Sequence, residues 1–114
     1  MLLVSLTHNT VEVPMISRVK KFIGRRFKDE NGGLKQGDEY LDGEVGVILR
    51  WKDGRLNDDG EFPAVEFEDS HVEHFKEGMP HNGARDKNGK LKPAIIGVSG
   101  DIVEYYINGR QVKP

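Results

Sequence analysis

From residue 44 onward the chain alternates short apolar stretches with glycine-centred turns. Apolar and polar positions trade places through "EVGVILRW" (44–51), "PAVEFED" (63–69), "HVEHF" (71–75), "PAIIGV" (93–98) and "IVEYYI" (102–107), the period-two pattern of half-buried strands. Between them stand "KDG", "NDDG", "KEG", "DKNG", "SGD" and "ING". These turns place Asp, Asn and Gly where the tight turns of antiparallel hairpins need positive φ. Before residue 44 the pattern differs. Residues 2–6 and 11–13 read as short β-prone pieces around "THNT", which predicts an N-terminal strand. "PMISRVKKFIGRRF" then sets Ile16, Val19, Ile23 and Phe27 three and four residues apart. With Pro14 at its start, that spacing predicts an amphipathic helix, although Gly24 weakens it. "KDENGGLKQGDEYLDGE" reads as a turn-rich connection or hairpin and as the most flexible stretch.

The turns recur with their flanks. Aligned on proline, Pro63-Ala64-Val65 meets Pro93-Ala94-Ile95, Val72-Glu73-His74-Phe75 meets Val103-Glu104-Tyr105-Tyr106, and Gly78 meets Gly109. The proline-to-glycine spacing is 15 in one copy and 16 in the other, so one inserted residue brings them into register. "RWKDGRL", "HFKEGMP" and "YYINGRQ" repeat an aromatic, two residues and a glycine. Each unit is therefore expected to be a hairpin whose return strand starts at Pro-Ala, where the missing N–H falls outside the ladder. Stacked side by side, such units share one elongated core. The expected fold is mainly β (α+β): an antiparallel meander of β-hairpin repeats with one N-terminal amphipathic helix. Its 114 residues make one domain, with 1–27 strand plus basic helix, 28–48 connection and strand, and 49–114 hairpin repeats.

The stretch "WKDGRLNDDGEFPAVEF" (51–67) resembles the degenerate repeat "aromatic-x-(D/N)-G-(K/R)-x-H-R-(E/D)-(D/N)-G-P-A-V" of bacterial and phage proteins described as MORN-like. Trp51, Asp53, Gly54, Arg55, Asp59, Gly60, Pro63, Ala64 and Val65 carry the likeness. Asn57 and Asp58 stand where that pattern has His-Arg, and Glu61-Phe62 separate a glycine and a proline that it joins directly. A second copy, over 74–96, keeps Gly78, His81, Gly83, Pro93 and Ala94 around a longer loop. The resemblance implies hairpin-repeat β-structure and brings no catalytic residue.

Composition narrows the chemistry. Hydrophobic residues are 36% and charged ones 32%, with mean hydropathy -0.59, which describes a soluble, thinly cored chain. Without cysteine there is no disulfide, thiolate zinc site or cysteine nucleophile, and the cytoplasm is the default compartment. The apolar start lacks a preceding basic region and ends too soon for a signal peptide or a membrane span. Net charge is -2, unevenly spread: five basic residues against Glu12 make 1–27 +4, leaving -6 for the rest, so the two parts can attract each other or partners of opposite sign.

Candidate chemistry is sparse. His71 and His74 lie three apart on an expected strand and face opposite sides, so no zinc site is expected without His81 or a carboxylate from a neighbouring hairpin. "ARDKNGKLKPAI" sets Asp86, Asn88 and Gly89 as in a calcium loop, but Ala84 and Ile95 fall on its first and last ligand positions, so it reads as a plain turn. No serine has a nucleophile-elbow setting and no phosphate loop is present. The expectation is a non-enzymatic protein-binding module without cofactor or metal, with masking of a partner's basic surface, as an inhibitor would do, as its mode of action. It would act through an acidic β-sheet face of Asp58, Asp59, Glu61, Glu66, Glu68 and Asp69 with edge aromatics Trp51, Phe75, Tyr105 and Tyr106. The alternative is contact with nucleic acid or an anionic membrane through Arg18, Lys20, Lys21, Arg25 and Arg26. A homo-oligomer paired through the last, edge strand is a further expectation.

Overall fold

The computed structural model describes residues 15–114, and the N-terminal strand expected over 2–6 and 11–13 lies outside them. The described chain is mainly β. Ten strands occur among the described residues: β1 (Gly37–Leu41), β2 (Val47–Lys52), β3 (Arg55–Leu56), β4 (Val65–Phe67), β5 (Val72–Glu73), β6 (Phe75–Lys76), β7 (Met79–Pro80), β8 (Ile95–Ile96), β9 (Val103–Ile107) and β10 (Arg110–Val112). An antiparallel sheet runs β1-β2-β4-β5-β8-β9-β10, with β3 folded back on β2, while β6 and β7 form a small hairpin of their own.

Alternation decides which side of each strand is buried. In β2, Val47, Leu49 and Trp51 face the core, and Ile48, Arg50 and Lys52 face the opposite side. Strand pairing extends that core-facing register into a row across the sheet: Glu39, Leu49, Val65, Glu73, Ile95, Glu104. Two apolar clusters flank Glu73. One gathers Val19, Val47, Leu49, Trp51, Leu56, Ala64, Val65 and Phe75; the other gathers Ala94, Ile95 and Tyr106. Phe22, Phe27 and Trp51 close the first cluster with edge-on and tilted ring contacts at 5.1–5.7 Å.

Three two-residue turns share one backbone shape. Consecutive positive φ values occur at Asp53 and Gly54 (52° and 80°), Glu77 and Gly78 (50° and 84°), and Asn108 and Gly109 (49° and 83°), as a type I′ hairpin requires. Each turn docks on the arm before it. Gly54 N–H donates to Lys35 O (2.9 Å), Gly78 N–H to Leu56 O and Gly109 N–H to Pro80 O (both 2.8 Å). The extra residue inferred from the sequence falls between β8 and β9. Phe67 N–H closes its loop on His71 O, whereas Gly97 N–H reaches one residue further, to Ile102 O.

The expected amphipathic helix does not form among the described residues. Residues 15–19 run as an irregular strap, followed by a single 3₁₀ turn at Lys20–Phe22. The apolar residues of this segment pack on the sheet, carried by a chain that crosses several strands. Met15 and Ile16 pack on the second cluster, Val19 joins the first, and Phe22, Ile23 and Phe27 pack around it. N–H groups along the segment go to tertiary partners instead. Ile16 N–H goes to Glu104, Arg18 N–H to Glu73, Gly24 N–H to Gly78 O and Phe27 N–H to Gly54 O. Residues 28–41, expected to be turn-rich, form a loop closed by the Lys28–Leu34 bridge and then β1.

Gly54 tests this docking. A Cβ there would lie 2.8 Å from Phe27 O, whereas Gly60, also at positive φ (61°), has open space. Gly60→Ala is expected to cost about 1 kcal/mol, the left-handed penalty alone, and Gly54→Ala at least about twice that. Denaturant unfolding of both variants measures the difference.

Candidate functional site

The buried polar groups contain the arrangement closest to a catalytic one. Glu73 is fully buried. Its carboxylate accepts from Ser17 Oγ (2.7 Å) and Arg18 N–H (2.7 Å) and pairs with His71 Nε2 (2.7 Å). Glu104, two strands along the row, accepts from Ile16 N–H (3.2 Å) and Tyr106 O–H (3.1 Å). Burial, then the charge and hydrogen bond of Glu104, push the Tyr106 phenol far above its ordinary range. Serine, histidine and glutamate meet here in the wrong order for nucleophilic catalysis. The carboxylate sits between serine and imidazole, so the imidazole does not reach Ser17 Oγ. What the cluster does is hold the strap.

The other histidines go elsewhere. His74 Nδ1 lies 2.6 Å from Asp58 Oδ2, and His81 Nδ1 accepts Asn108 N–H at 2.9 Å. Among the described residues no three His, Asp or Glu side chains are placed to hold a metal ion. The calcium-like "DKNG" is explained by its own geometry. Asp86 Oδ1 collects the N–H groups of Asn88 (2.8 Å) and Lys90 (3.0 Å), as Asp29 Oδ1 collects those of Asn31 (2.9 Å) and Gly33 (3.0 Å). Both are loops closed around a carboxylate that accepts from backbone.

The residues expected at a partner-binding face separate into three groups. Trp51, Phe75 and Tyr106 are buried in the two clusters, while Tyr105 is half-buried on the opposite side of β9. Asp58 is an internal fastener, its Oδ1 accepting the N–H groups of Ala64 (2.8 Å) and Phe75 (2.9 Å). Glu68 accepts from the Tyr40 hydroxyl (2.9 Å), and Asp69 pairs with Arg18 (2.9 Å). Against partial desolvation, the Arg18 hydrogen bond and His71 N–H hold Asp69 below the ordinary carboxylate range. Arg18, a member of the alternative basic set, is thus joined to the acidic set and also lies 3.9 Å over the Phe67 ring. Lys20, Lys21, Arg25 and Arg26 are exposed around the 3₁₀ turn.

What remains free gathers on the outer side of β2. The Arg50 guanidinium, itself buried, bonds Pro63 O (2.7 Å), pairs with Glu66 and approaches Asp38 (3.6 Å). Phe62 lies over that guanidinium at 5.0 Å and is 59% exposed. It is set there by the Asp59–Phe62 turn, whose backbone N–H and C=O groups bond reciprocally at 3.0 Å. Asp59 and Glu61 are exposed beside it, and the Asp38 side chain is 61% exposed. A shallow recess of about 210 Å³ opens next to Arg50, Asp38, Asp58 and Asp59. Phe62 is not among the residues expected at the site; the available signal is the Glu61-Phe62 pair standing between Gly60 and Pro63. A larger groove of about 410 Å³ lies on the core side of β1, near Trp51, Leu34, Lys35 and Glu39. There the Lys35 ammonium, opposed by burial and aided by the Trp51 N–H, holds Glu39 below its ordinary range. These groups satisfy one another.

Compared with family models, curated proteins and solved structures, the chain matches none. No helix among the described residues is long and apolar enough to cross a membrane.

Removing the Glu73 carboxylate leaves Ser17, Arg18 N–H and His71 without their buried acceptor. Glu73→Ala is expected to cost about 3 kcal/mol or more. It also frees the strap, so tryptic cleavage after Arg18, Lys20 and Lys21 should quicken under native conditions.

Proposed function

We propose that this protein is a small non-enzymatic binding module for another protein, and that its contact surface is the acidic outer patch around Arg50 and Phe62. The observation that carries this reading is Phe62 itself. A large apolar ring stands 59% exposed on a fixed turn, seated on a buried guanidinium and rimmed by Asp38, Asp59 and Glu61. A rigid aromatic anchor with a charged rim is the arrangement on which interfaces concentrate their binding energy. The sign of the rim favours a basic partner. The sheet is read as an array of MORN-like hairpin repeats, with the inserted Glu61-Phe62 as the addition specific to this chain. An inhibitor that covers a partner's basic surface fits the same chemistry.

A second reading rests on the exposed Lys20, Lys21, Arg25 and Arg26. Arg26 shares a groove of about 320 Å³ with Lys52 and Arg55, and with Asp53 and Glu77, so the groove's excess of positive charge is one; that excess, with the exposed basic residues of the turn, supports contact with a phosphate backbone or an anionic lipid surface.

Affinity capture from the host lysate with wild type, Phe62→Ala/Glu61→Lys and Lys20→Glu/Lys21→Glu/Arg25→Glu/Arg26→Glu separates the two. The first reading expects a salt-sensitive, nuclease-resistant protein that the Phe62 variant loses by about tenfold or more, in line with an anchor worth about 2 kcal/mol. Capture that vanishes with nuclease, or with the fourfold charge reversal alone, replaces it by the second. Unfolding curves establish that each variant is folded.

A further inference from the structure

Three times in this fold the first N–H of a two-residue turn is held by a side chain from the preceding arm. Gln36 Oε1 accepts Asp53 N–H at 3.0 Å, Asn57 Oδ1 accepts Glu77 N–H at 2.8 Å, and His81 Nδ1 accepts Asn108 N–H at 2.9 Å. Each acceptor follows directly on the residue whose carbonyl takes the glycine N–H of the same turn: Lys35, Leu56 and Pro80. The three positions are therefore equivalent. Two hold carboxamides, which accept at any pH. The third holds an imidazole, and a ring nitrogen accepts only while it carries no proton.

We propose that His81 is a proton-sensitive latch for the last hairpin: the neutral ring fastens Asn108 to β7, and protonation sets N–H against N–H and releases β9–β10. The surroundings oppose that proton. Partial burial, then the Lys76 ammonium, hold the His81 ring below its ordinary 6.5, with Asp58 pulling weakly the other way. His74, whose carbonyl accepts His81 N–H, already occupies the Asp58 carboxylate. Because the folded-state value is lowered, the unfolded chain takes the proton more readily. The latch is complete above pH 6.5 and weakens as pH falls from there toward the folded-state value. Its release reaches the strap. Tyr106 on β9 carries the second cluster, on which Met15 and Ile16 pack, and its hydroxyl supports Glu104, the acceptor for Ile16 N–H.

Amide hydrogen exchange between pH 7.5 and pH 5 tests the latch, with each rate corrected to a protection factor. Glu77 N–H, held by Asn57, is the internal reference. The Asn108 protection factor is expected to stay level relative to that of Glu77 above pH 6.5 and to fall below it, with a slope of at most about tenfold per pH unit, the limit for a single linked proton. In His81→Asn, which installs the side chain found at the equivalent position 57, the ratio should no longer change with pH. An Asn108 amide that tracks Glu77 throughout the titration of wild type overturns the proposal, and that comparison stands even if the variant does not fold. So does a His81→Asn protein that keeps the wild-type pH dependence.

Discussion

A carboxylate removed from water must find all its hydrogen bonds within the protein, and Glu73 finds them in a segment far from it in sequence. Between the two apolar clusters the core-facing row would otherwise be broken by a charge. Instead, Ser17, Arg18 and His71 converge on that charge, and the residues on either side of Ser17 and Arg18 are carried onto the clusters: Met15 and Ile16 onto one, Val19 onto the other. The core is continuous because the polar group in its middle is saturated. Breaking such a group's bonds costs far more than making them gains. The carboxylate therefore specifies the path of the strap more than it adds to stability.

Along the array the same economy recurs with backbone groups. A left-handed turn presents two N–H groups outward, and each of the three turns delivers them to a carbonyl and a side chain of the arm before it. These rungs need a glycine at the second turn position and an acceptor on the arm, and place little other demand on the sequence. The acceptor has been met by Gln, by Asn and by His, and only the last brings sensitivity to protons.

Much of the β architecture was legible because its determinants are local. Aromatic, two residues, glycine marks a hairpin wherever it occurs, and aligning Pro63 with Pro93 located the extra residue before β9. The strap was not legible. Apolar spacing of three and four describes a helix buried along one side and equally a chain crossing successive strands, and the sequence does not say who accepts its N–H groups. Glu73 and Glu104 looked like the polar half of an alternation. Their shared place in the recurring Val-Glu-x-aromatic was the available sign that both face inward. The same phase placed Phe75 and Tyr106 in the core, where recurring aromatics belong. Of the acidic residues, Asp58, Glu66, Glu68 and Asp69 proved to be committed within the fold, because pairing partners distant in sequence leave no trace in local composition. Asp59 and Glu61 stayed free beside Phe62, an aromatic outside the alternating stretches.

The distance in sequence from each arm to its return strand is three positions from Gln36 to Glu39, eight from Asn57 to Val65 and fourteen from His81 to Ile95. Yet Glu39, Val65 and Ile95 stand in the same row of the sheet. Connection length is thus decoupled from register, since closing a longer surface loop costs little. The architecture works like a rack with fixed rails and interchangeable trays. Chain can be added or removed at one end of the hairpins while the fastenings at the other end stay as they are.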